Sequence, residues 1–424
     1  MLKKILRYLR NPVVLSAIIC AILIYTGLVP VRRSNPFRSA ILLEKISSIS
    51  GQIATNPSRC GSGKFYSTRV RISSVKAKEG YVNFSSLASG ELDVRIPSRI
   101  VESVYPGKLY SLNRNSVLIE NGELVTLCGR WSEKLGSFYV DSVDYLGYEQ
   151  TLLGRIRHFR AMCRLIFKRL LYSWSSAGGL ILSLLSGSRE YLEEGLGESF
   201  RNAGLSHILA LSGMHLSFFS SLAGGLGKTL GGKRVSLFAQ FFGILFFVWF
   251  AGLSPSLFRA LLCSLISLLA KTVFCAKVKM IEVLCGAFLI HAILIPGDLF
   301  SAAFLLSYGA LGGILLFADF INCAISPFIP PQFSSSLSAS MGAQTATAPI
   351  CAKMFGTLTP IGIVSTVFVS PLISIFLTLS LIFIILSLAI PFLSPLFGSI
   401  MGIIYSVIVW CVRIFASVPS IDLN

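Results

Sequence analysis

The chain has 424 residues, 54% of them hydrophobic and only 13% charged, with a mean hydropathy of +0.74. That balance excludes an ordinary soluble enzyme and describes a polytopic α-helical membrane protein. The formal net charge of +18 suits an anionic lipid surface, a polyanionic substrate, or both.

The acidic residues are unevenly spread. From Gly204 onward only Glu282, Asp298, Asp319 and Asp422 are acidic, so the intramembrane carboxylates on which ion-coupled carriers rely are few. The ten cysteines form no C-x-x-C pair, which argues against a zinc or redox site. Cys60 and Cys128 would pair only in an oxidising compartment.

Residues 1–39 place Lys3, Lys4, Arg7 and Arg10 before an apolar run from Pro12 to Val29. The run is long, and no small-residue cleavage pattern precedes Arg32 and Arg33. It reads as a retained transmembrane anchor with a cytoplasmic N-terminus.

Residues 40–150 differ in kind. Short strands are predicted at Ser67–Val75, Tyr81–Ser86, Glu91–Ile96, Ser116–Glu120, Leu124–Arg130 and Phe138–Tyr145, separated by turn dipeptides such as Glu79-Gly80 and Asn121-Gly122. The spacing predicts a small β-barrel domain of OB type, which an anchor with a cytoplasmic N-terminus would export to the periplasmic side. Lys64, Arg69, Arg71, Lys76, Lys78 and Arg95 give it a positive side. Tyr66, Tyr81, Phe84, Trp131, Phe138 and Tyr139 are candidate base-stacking platforms; the same rings would equally fill a barrel core.

Residues 151–202 begin with a basic amphipathic helix over 152–174. Ile156, Phe159, Cys163, Ile166 and Leu170 recur at helical spacing, and Arg155, Arg157, Arg160, Arg164, Lys168 and Arg169 fill much of the rest. Such a helix belongs flat on a membrane surface, its basic residues contacting lipid phosphates or, alternatively, those of DNA. The apolar piece 177–186 is too short to span and reads as re-entrant.

Residues 203–424 hold eight candidate spans, at 203–226, 235–253, 256–275, 280–296, 299–318, 338–356, 361–390 and 396–418. Loops carrying Lys228, Lys233 and Arg234 and then Lys271, Lys277 and Lys279 lie two spans apart, so both belong on the cytoplasmic side. The long 361–390 run carries Pro371, a place for it to break in two.

Four stretches in this half are more polar than lipid-facing helices tolerate. The first is Gly204 to His215, GLSHILALSGMH, with His207, Ser212 and His215 among small residues. The second is Ala251 to Ala260, AGLSPSLFRA, which sets Arg259 one turn inside a helix opened by Pro255. The third is Pro296-Gly297-Asp298 with Leu299 to Ala310, ending in Ser307, Tyr308, Gly309 and Ala310. The fourth is Gln344 to Pro349.

In this order the stretches resemble the ComEC family of bacterial competence proteins. That family carries G-L-S-H-x-L-A-x-S-G-x-H, P-S-x-x-R-A and P-x-x-x-x-x-x-F-x-L-S-[FY]-x-A. Here they stand as Gly204 to His215, Pro255 to Ala260, and Pro296 through Phe304, Leu306, Ser307, Tyr308 and Ala310. Gly187-Ser188-Arg189 is similar to the family's G-D-R with Ser188 for Asp. Thr366 stands where the family often has Asn.

The resemblance implies an inner-membrane channel passing single-stranded DNA during natural transformation. Its partners would be single-stranded DNA, membrane lipids, a DNA receptor, and a cytoplasmic helicase or single-strand binding protein. It makes His207, Ser212, His215, Arg259, Ser307, Tyr308 and Gln344 candidate channel-lining residues, with Gly204, Gly213, Pro255 and Gly309 packing the helices. Many family members add a metallo-β-lactamase-like domain. These residues include only His158, His207, His215 and His291 and no H-x-H-x-D-H run. The expectation is therefore transport without an encoded metal nuclease or cofactor, any cutting falling to a separate protein.

Three rivals stand. An intramembrane serine hydrolase would use Ser212, in a stretch one residue from G-x-S-G, and His291 as base; no carboxylate is evident to orient that ring. A small-solute secondary transporter would show inverted repeats. A degenerate relative would only scaffold other proteins.

Overall fold

The structure, a computed structural model, describes residues 8, 10–30, 36–60, 64–77, 85–104, 119–189, 191–272 and 278–422. Lys3, Lys4, Arg7, Arg32, Arg33, Lys78, Tyr81, Phe84 and Lys277 lie outside these residues. So do most of the candidate strand at 116–120 and the first part of that at 81–86.

Helix α1 (Pro12–Tyr25) is capped by Asn11 and packs beside the membrane bundle, where the Tyr25 hydroxyl donates to the Leu299 carbonyl at 2.9 Å. A sheet domain follows. Its main strands are β1 (Ile46–Ile53), β2 (Phe65–Ala77), β3 (Glu91–Pro97), β4 (Leu124–Ser132) and β5 (Ser137–Gly147), with helix α2 (Ser98–Val104) after β3. β1 pairs with β2 and β4, β2 with β3, β3 with β5, and β5 with β4. Each of these five strands therefore has two neighbours among the five, and the circuit of their pairings returns to its start; β2 also pairs with short strands at Ser58–Arg59 and Ser85–Ser89. Only the β3–β5 pairing is parallel.

β2 shows why these residues form strands. Tyr66, Thr68, Val70 and Ile72 point into the core while Arg69 and Arg71 point out. The core takes two of the candidate platforms: Tyr66 and Phe138 are buried within it. Tyr139 packs edge-on against Phe65, with ring centroids 5.1 Å apart. The positive side is also partly neutralised. Arg69 reaches Asp93 and Arg71 reaches Glu91, each at 3.3 Å, across β2 and β3. Strand β1 was not anticipated, because bulges at Ile46/Ser48 and Ser50/Gly51 break its alternation. Cys60 and Cys128 are both free.

Helix α3 (Leu152–Tyr172) is the predicted basic helix, but it is turned over. Leu152, Ile156, Phe159 and Ile166 are exposed, whereas Arg164 and Lys168 are 1% exposed at their side chains. Their partner is Glu120, brought in from the sheet domain. Arg164 Nε lies 3.0 Å from Glu120 Oε2, and Lys168 Nζ lies 3.0 Å from Oε1. Arg164 also donates to the carbonyls of Ser186 (3.3 Å) and Phe250 (3.0 Å) and to the Ser188 hydroxyl (2.8 Å). Arg160 joins it on the Phe250 carbonyl. Arg164 and Lys168 thus leave the set of candidate phosphate contacts, since a buried charge is tolerated only when paired. Arg155 remains exposed, and Arg157 and Arg169 are half-buried.

Burial alone would raise the Glu120 carboxyl, but Arg164 and Lys168 outweigh it and hold the group at about 2. Glu123, three residues on, has no such partner. Its carboxyl is buried with no cation beside it among the described residues, and burial pushes it up to about 8.

Helix α4 (Ser175–Ser186) is the predicted re-entrant piece and is buried along most of its length. After α5 (Leu196–Asn202) and the short α6 (Ser206–Leu209) comes the bundle. It contains α7 (Gly213–Ala251), α8 (Pro255–Thr272), α9 (Met280–Leu294), α10 (Ala302–Ile325), α11 (Pro331–Phe355), α12 (Gly362–Ala389) and α13 (Ser394–Ala416). Among the described residues, five helical segments are long and apolar enough to cross a membrane: α7, α8, α10, α12 and the α13 segment from Pro391.

The eight predicted spans map onto this set with three differences. The first two spans are the arms of α7, which turns at Gly231 and Gly232; Gly232 has φ +73° and ψ −158°, open only to glycine. Contacts at Phe219–Phe247, Ala223–Gly243 and Gly224–Gln240 show the arms running antiparallel. The helix α9 is shorter than a typical span, and α11 is too polar to qualify. The 361–390 run does not break: α12 continues through Pro371, with Ser374 donating its hydroxyl to the Ser370 carbonyl.

Helices α10 and α11 meet backbone to backbone. A Cβ on Gly313 would lie 2.3 Å from the Gly342 carbonyl oxygen. Gly313→Val therefore lowers stability by about 1–3 kcal/mol through overpacking, read as a lower unfolding midpoint in detergent. Glu120→Ala leaves two buried cations with no carboxylate and costs about 3–5 kcal/mol. Breaking the exposed Arg69 pairs by Arg69→Ala costs about 0–1 kcal/mol, and parallel denaturation curves separate the two. Glu123 adds a pH dependence. The folded chain holds a proton that the unfolded chain, at an ordinary 4.5, releases. Its stabilisation is complete below about 4.5 and is lost as pH rises through about 8. Melting curves across that range fall more steeply for the natural chain than for Glu123→Gln.

Candidate functional site

The stretch GLSHILALSGMH does not open as one continuous span. After the turn of α6, Ala210 and Ser212 are extended, and α7 begins at Gly213. Irregular backbone at membrane depth survives only where protein or a cavity shields it. Gly204 makes the first bend at φ +72°, and a Cβ there would lie 2.5 Å from the Gly362 Cα. The Ser365 hydroxyl donates to the Ala203 carbonyl at 2.7 Å, fixing this bend to the start of α12.

Ser212 and His215 cap α7. The Ser212 N–H donates to His215 Nδ1 at 3.3 Å, and the Ser212 hydroxyl lies 3.2 Å from the same nitrogen. This is a capping box with histidine in the place of Glu or Gln. A neutral His215 then carries its proton on Nε2, which is buried without a partner among the described residues. His207 is exposed on the α6 turn.

The second motif docks on the first. Pro255 opens α8 with its fixed φ, and Ser254 accepts from the Leu257 N–H at 3.3 Å. Ser256 donates to the Leu211 carbonyl at 2.7 Å, a group that the break has freed from helix bonding. Ala260 and Arg259 pack against Gly213, each 3.5 Å from where a Cβ would stand, an ordinary van der Waals distance.

Arg259 carries the chain of contacts onward. Its guanidinium donates to the Ser307 carbonyl of the third motif, while its Nε is buried without a partner among the described residues. Next to Ser307, the Tyr308 hydroxyl lies 3.3 Å from His291 Nδ1, and Asp298 Oδ2 lies 3.2 Å from His291 Nε2. Ser301 caps α10 by accepting from the Phe304 N–H. On α11, Gln344 donates to the Thr359 carbonyl at 2.9 Å and keeps its Oε1 buried and unpartnered among the described residues. Gly309 brings α10 against Ile350 of α11.

The structure therefore links Ser212, Gly213, Pro255, Arg259, Ser307 and Tyr308 in one constellation, sets Gly204 against α12 and Gln344 beside it, and leaves His207 apart. Sequence reasoning did not place Asp298. It stands seven residues beyond His291, across a helix end, where no local spacing rule connects them. The statement that no carboxylate orients His291 is thereby corrected. Both ring nitrogens of His291 are taken by Asp298 and Tyr308, so His291 does not serve Ser212 as a base.

The α7 hairpin fixes where this constellation sits. Its arms are antiparallel, so Ser212 at its start and Phe250 at its close lie at the same end. Phe250 is the carbonyl that Arg164 and Arg160 grip from beneath the sheet domain. Ser188, in the place of the family's Asp, is bonded to that same Arg164.

The competence protein family matches residues 184–424. The ComE operon protein 3 of Bacillus subtilis strain 168 is 26% identical over 144 residues, which is 32% of this chain and 18% of that protein. The chain thus aligns with under a fifth of that relative's length. No solved structure matches the chain. With more than half of its length matched and the family's motifs joined at one place, the chain belongs to the ComEC family of competence proteins.

Proposed function

We propose that this chain conducts single-stranded DNA across the bacterial inner membrane in natural transformation, with passage rather than cleavage as its task. The observation that carries this reading is the shared end of the α7 hairpin. The sheet domain is fastened to the same end of the bundle at which the broken GLSHILALSGMH stretch enters. A strand leaving the sheet domain meets that break first.

The polar chemistry supports it. His215 Nε2, Arg259 Nε and Gln344 Oε1 are buried polar atoms without partners among the described residues, one from each of three motifs. Such atoms are costly unless a ligand or water satisfies them. Two of the three are donors, as a phosphodiester requires. The strand circuit supports the OB assignment, because a five-stranded Greek-key barrel has this order, with its one parallel pairing between the third and fifth strands. The exposed Leu152, Ile156, Phe159 and Ile166 of α3 lie in the lipid headgroup layer. The N-terminus is cytoplasmic and the sheet domain periplasmic.

The test is a strain lacking this gene, complemented with the natural or an Arg259→Lys chain and given labelled DNA, scoring surface-bound and cytoplasmic label separately. Without the gene, label binds outside and does not enter. Arg259→Lys keeps a charge in the bundle but loses the guanidinium fork. Its uptake falls about tenfold, the equivalent of one charge-assisted hydrogen bond of about 1.5 kcal/mol, with membrane levels unchanged. Normal entry of label without the gene sinks the reading, and normal entry with Arg259→Lys removes Arg259 from the path.

A further inference from the structure

His291 ends its helix with no exposed surface, and the rings of Phe258 and Phe304 each stand 4.8 Å from its own in edge contact. A histidine that only fills space needs a single bond to a carbonyl. Here the two ring nitrogens meet two groups that can themselves exchange protons. Asp298 Oδ2 lies 3.2 Å from Nε2, and the Tyr308 hydroxyl lies 3.3 Å from Nδ1. The Asp298 side chain is 29% exposed, so this corner is not sealed by protein on the carboxylate side.

The three groups suit two protonation states equally well. With a neutral ring, Nε2–H donates to the carboxylate and Nδ1 accepts from the Tyr308 hydroxyl. Adding one proton to Nδ1 makes an imidazolium that donates from both nitrogens. No hydrogen bond is lost. The Tyr308 hydroxyl merely reverses from donor to acceptor. The pair with Asp298 passes from a net negative charge to none, which is the cheaper state within a membrane bundle.

We propose that Asp298, His291 and Tyr308 form a proton-binding site in the membrane domain, with His291 holding the proton and Asp298 as its counter-charge. The reversal of Tyr308 is felt on α8, whose Arg259 and Cys263 are the charged and titratable groups facing that hydroxyl. Arg259 holds the carbonyl of Ser307, the neighbouring residue, so proton binding acts on the strap that joins the second motif to the third. From α1, Tyr25 is the titratable group at this corner, held on the Leu299 carbonyl. The site rests on these contacts and is independent of what the spans conduct.

Exchange of an imidazole C2 hydrogen for deuterium proceeds through the imidazolium, so its rate reports proton binding. The full chain in lipid nanodiscs is held in deuterated buffer, digested, and read by mass spectrometry at His158, His207, His215 and His291. Asp298→Asn keeps the shape and removes the charge. Incorporation at His291 then falls at least about tenfold, as loss of a carboxylate at this range entails, with the other three unchanged, and Asp298→Glu restores it. Tyr308→Phe leaves the imidazolium Nδ1–H without an acceptor and lowers incorporation too. Should Asp298→Asn unfold the chain, the other histidines report it and Tyr308→Phe decides. The proposal is overturned if natural His291 incorporates no deuterium between about pH 5 and 8, or if both folded variants incorporate it at the natural chain's rate.

Discussion

Arg164 is where the sheet domain, helix α3 and the membrane bundle are held together. Taking a guanidinium and an ammonium out of water costs several kcal/mol for each ion, and one carboxylate neutralises only one of them. The remainder is met by backbone. The Ser186 carbonyl closes α4 and the Phe250 carbonyl lies in the last turn of α7. Each helix end carries roughly half a negative charge. Two such ends face Arg164, and Arg160 shares the Phe250 carbonyl, so where the basic face of α3 turns inward its cations are met by backbone as well as by Glu120.

That inversion also marks the limit of what sequence revealed. The basic helix was legible from its spacing, as were the strands β2 to β5, the short apolar helix α4 and most of the long apolar helices. These are local patterns, each written within one stretch. Glu120 was not legible as the partner of Arg164 and Lys168, because it comes from a sheet domain 44 and 48 residues earlier. The strand β1 was hidden by its bulges. The polarity of α11 was legible in Gln344 to Pro349, but its close approach to α10 at Gly313 and Gly342 was not. In the candidate site, Ser212, Gly213, Pro255 and Arg259 stood out by residue type, but their roles did not. Ser212 and His215 first serve to cap a helix.

The motifs join one another chiefly through backbone carbonyls. Ser256 takes the Leu211 carbonyl, Arg259 that of Ser307, Ser365 that of Ala203 and Gln344 that of Thr359. The Leu211 and Ala203 carbonyls stand at breaks, where an unsatisfied group is expensive in a membrane interior, and each is matched by a serine donor from a neighbouring helix, whereas the Ser307 carbonyl lies within α10 and that of Thr359 also takes the Gly362 N–H. Substituting one of these donors exposes a backbone group rather than simply removing a side chain, and a break thus has to be preserved together with its partner.

The two clusters are coupled by the shortness of the path between them. From Phe250, held by Arg164, only Ala251 to Pro255 intervene before Ser256, which holds Leu211. Within that link Gly252 has φ +95°, and a Cβ on it would lie 2.6 Å from the Arg160 guanidinium. A residue with a side chain there would collide with the arginine pair on one side and bend the turn that aims α8 on the other. The link is therefore short, bent at a glycine and gripped at both ends, so the sheet domain cannot swing without moving the start of α8. Arg259 sits one turn into that helix. The geometry of the membrane constellation is set, through five residues of backbone, by a salt bridge outside it.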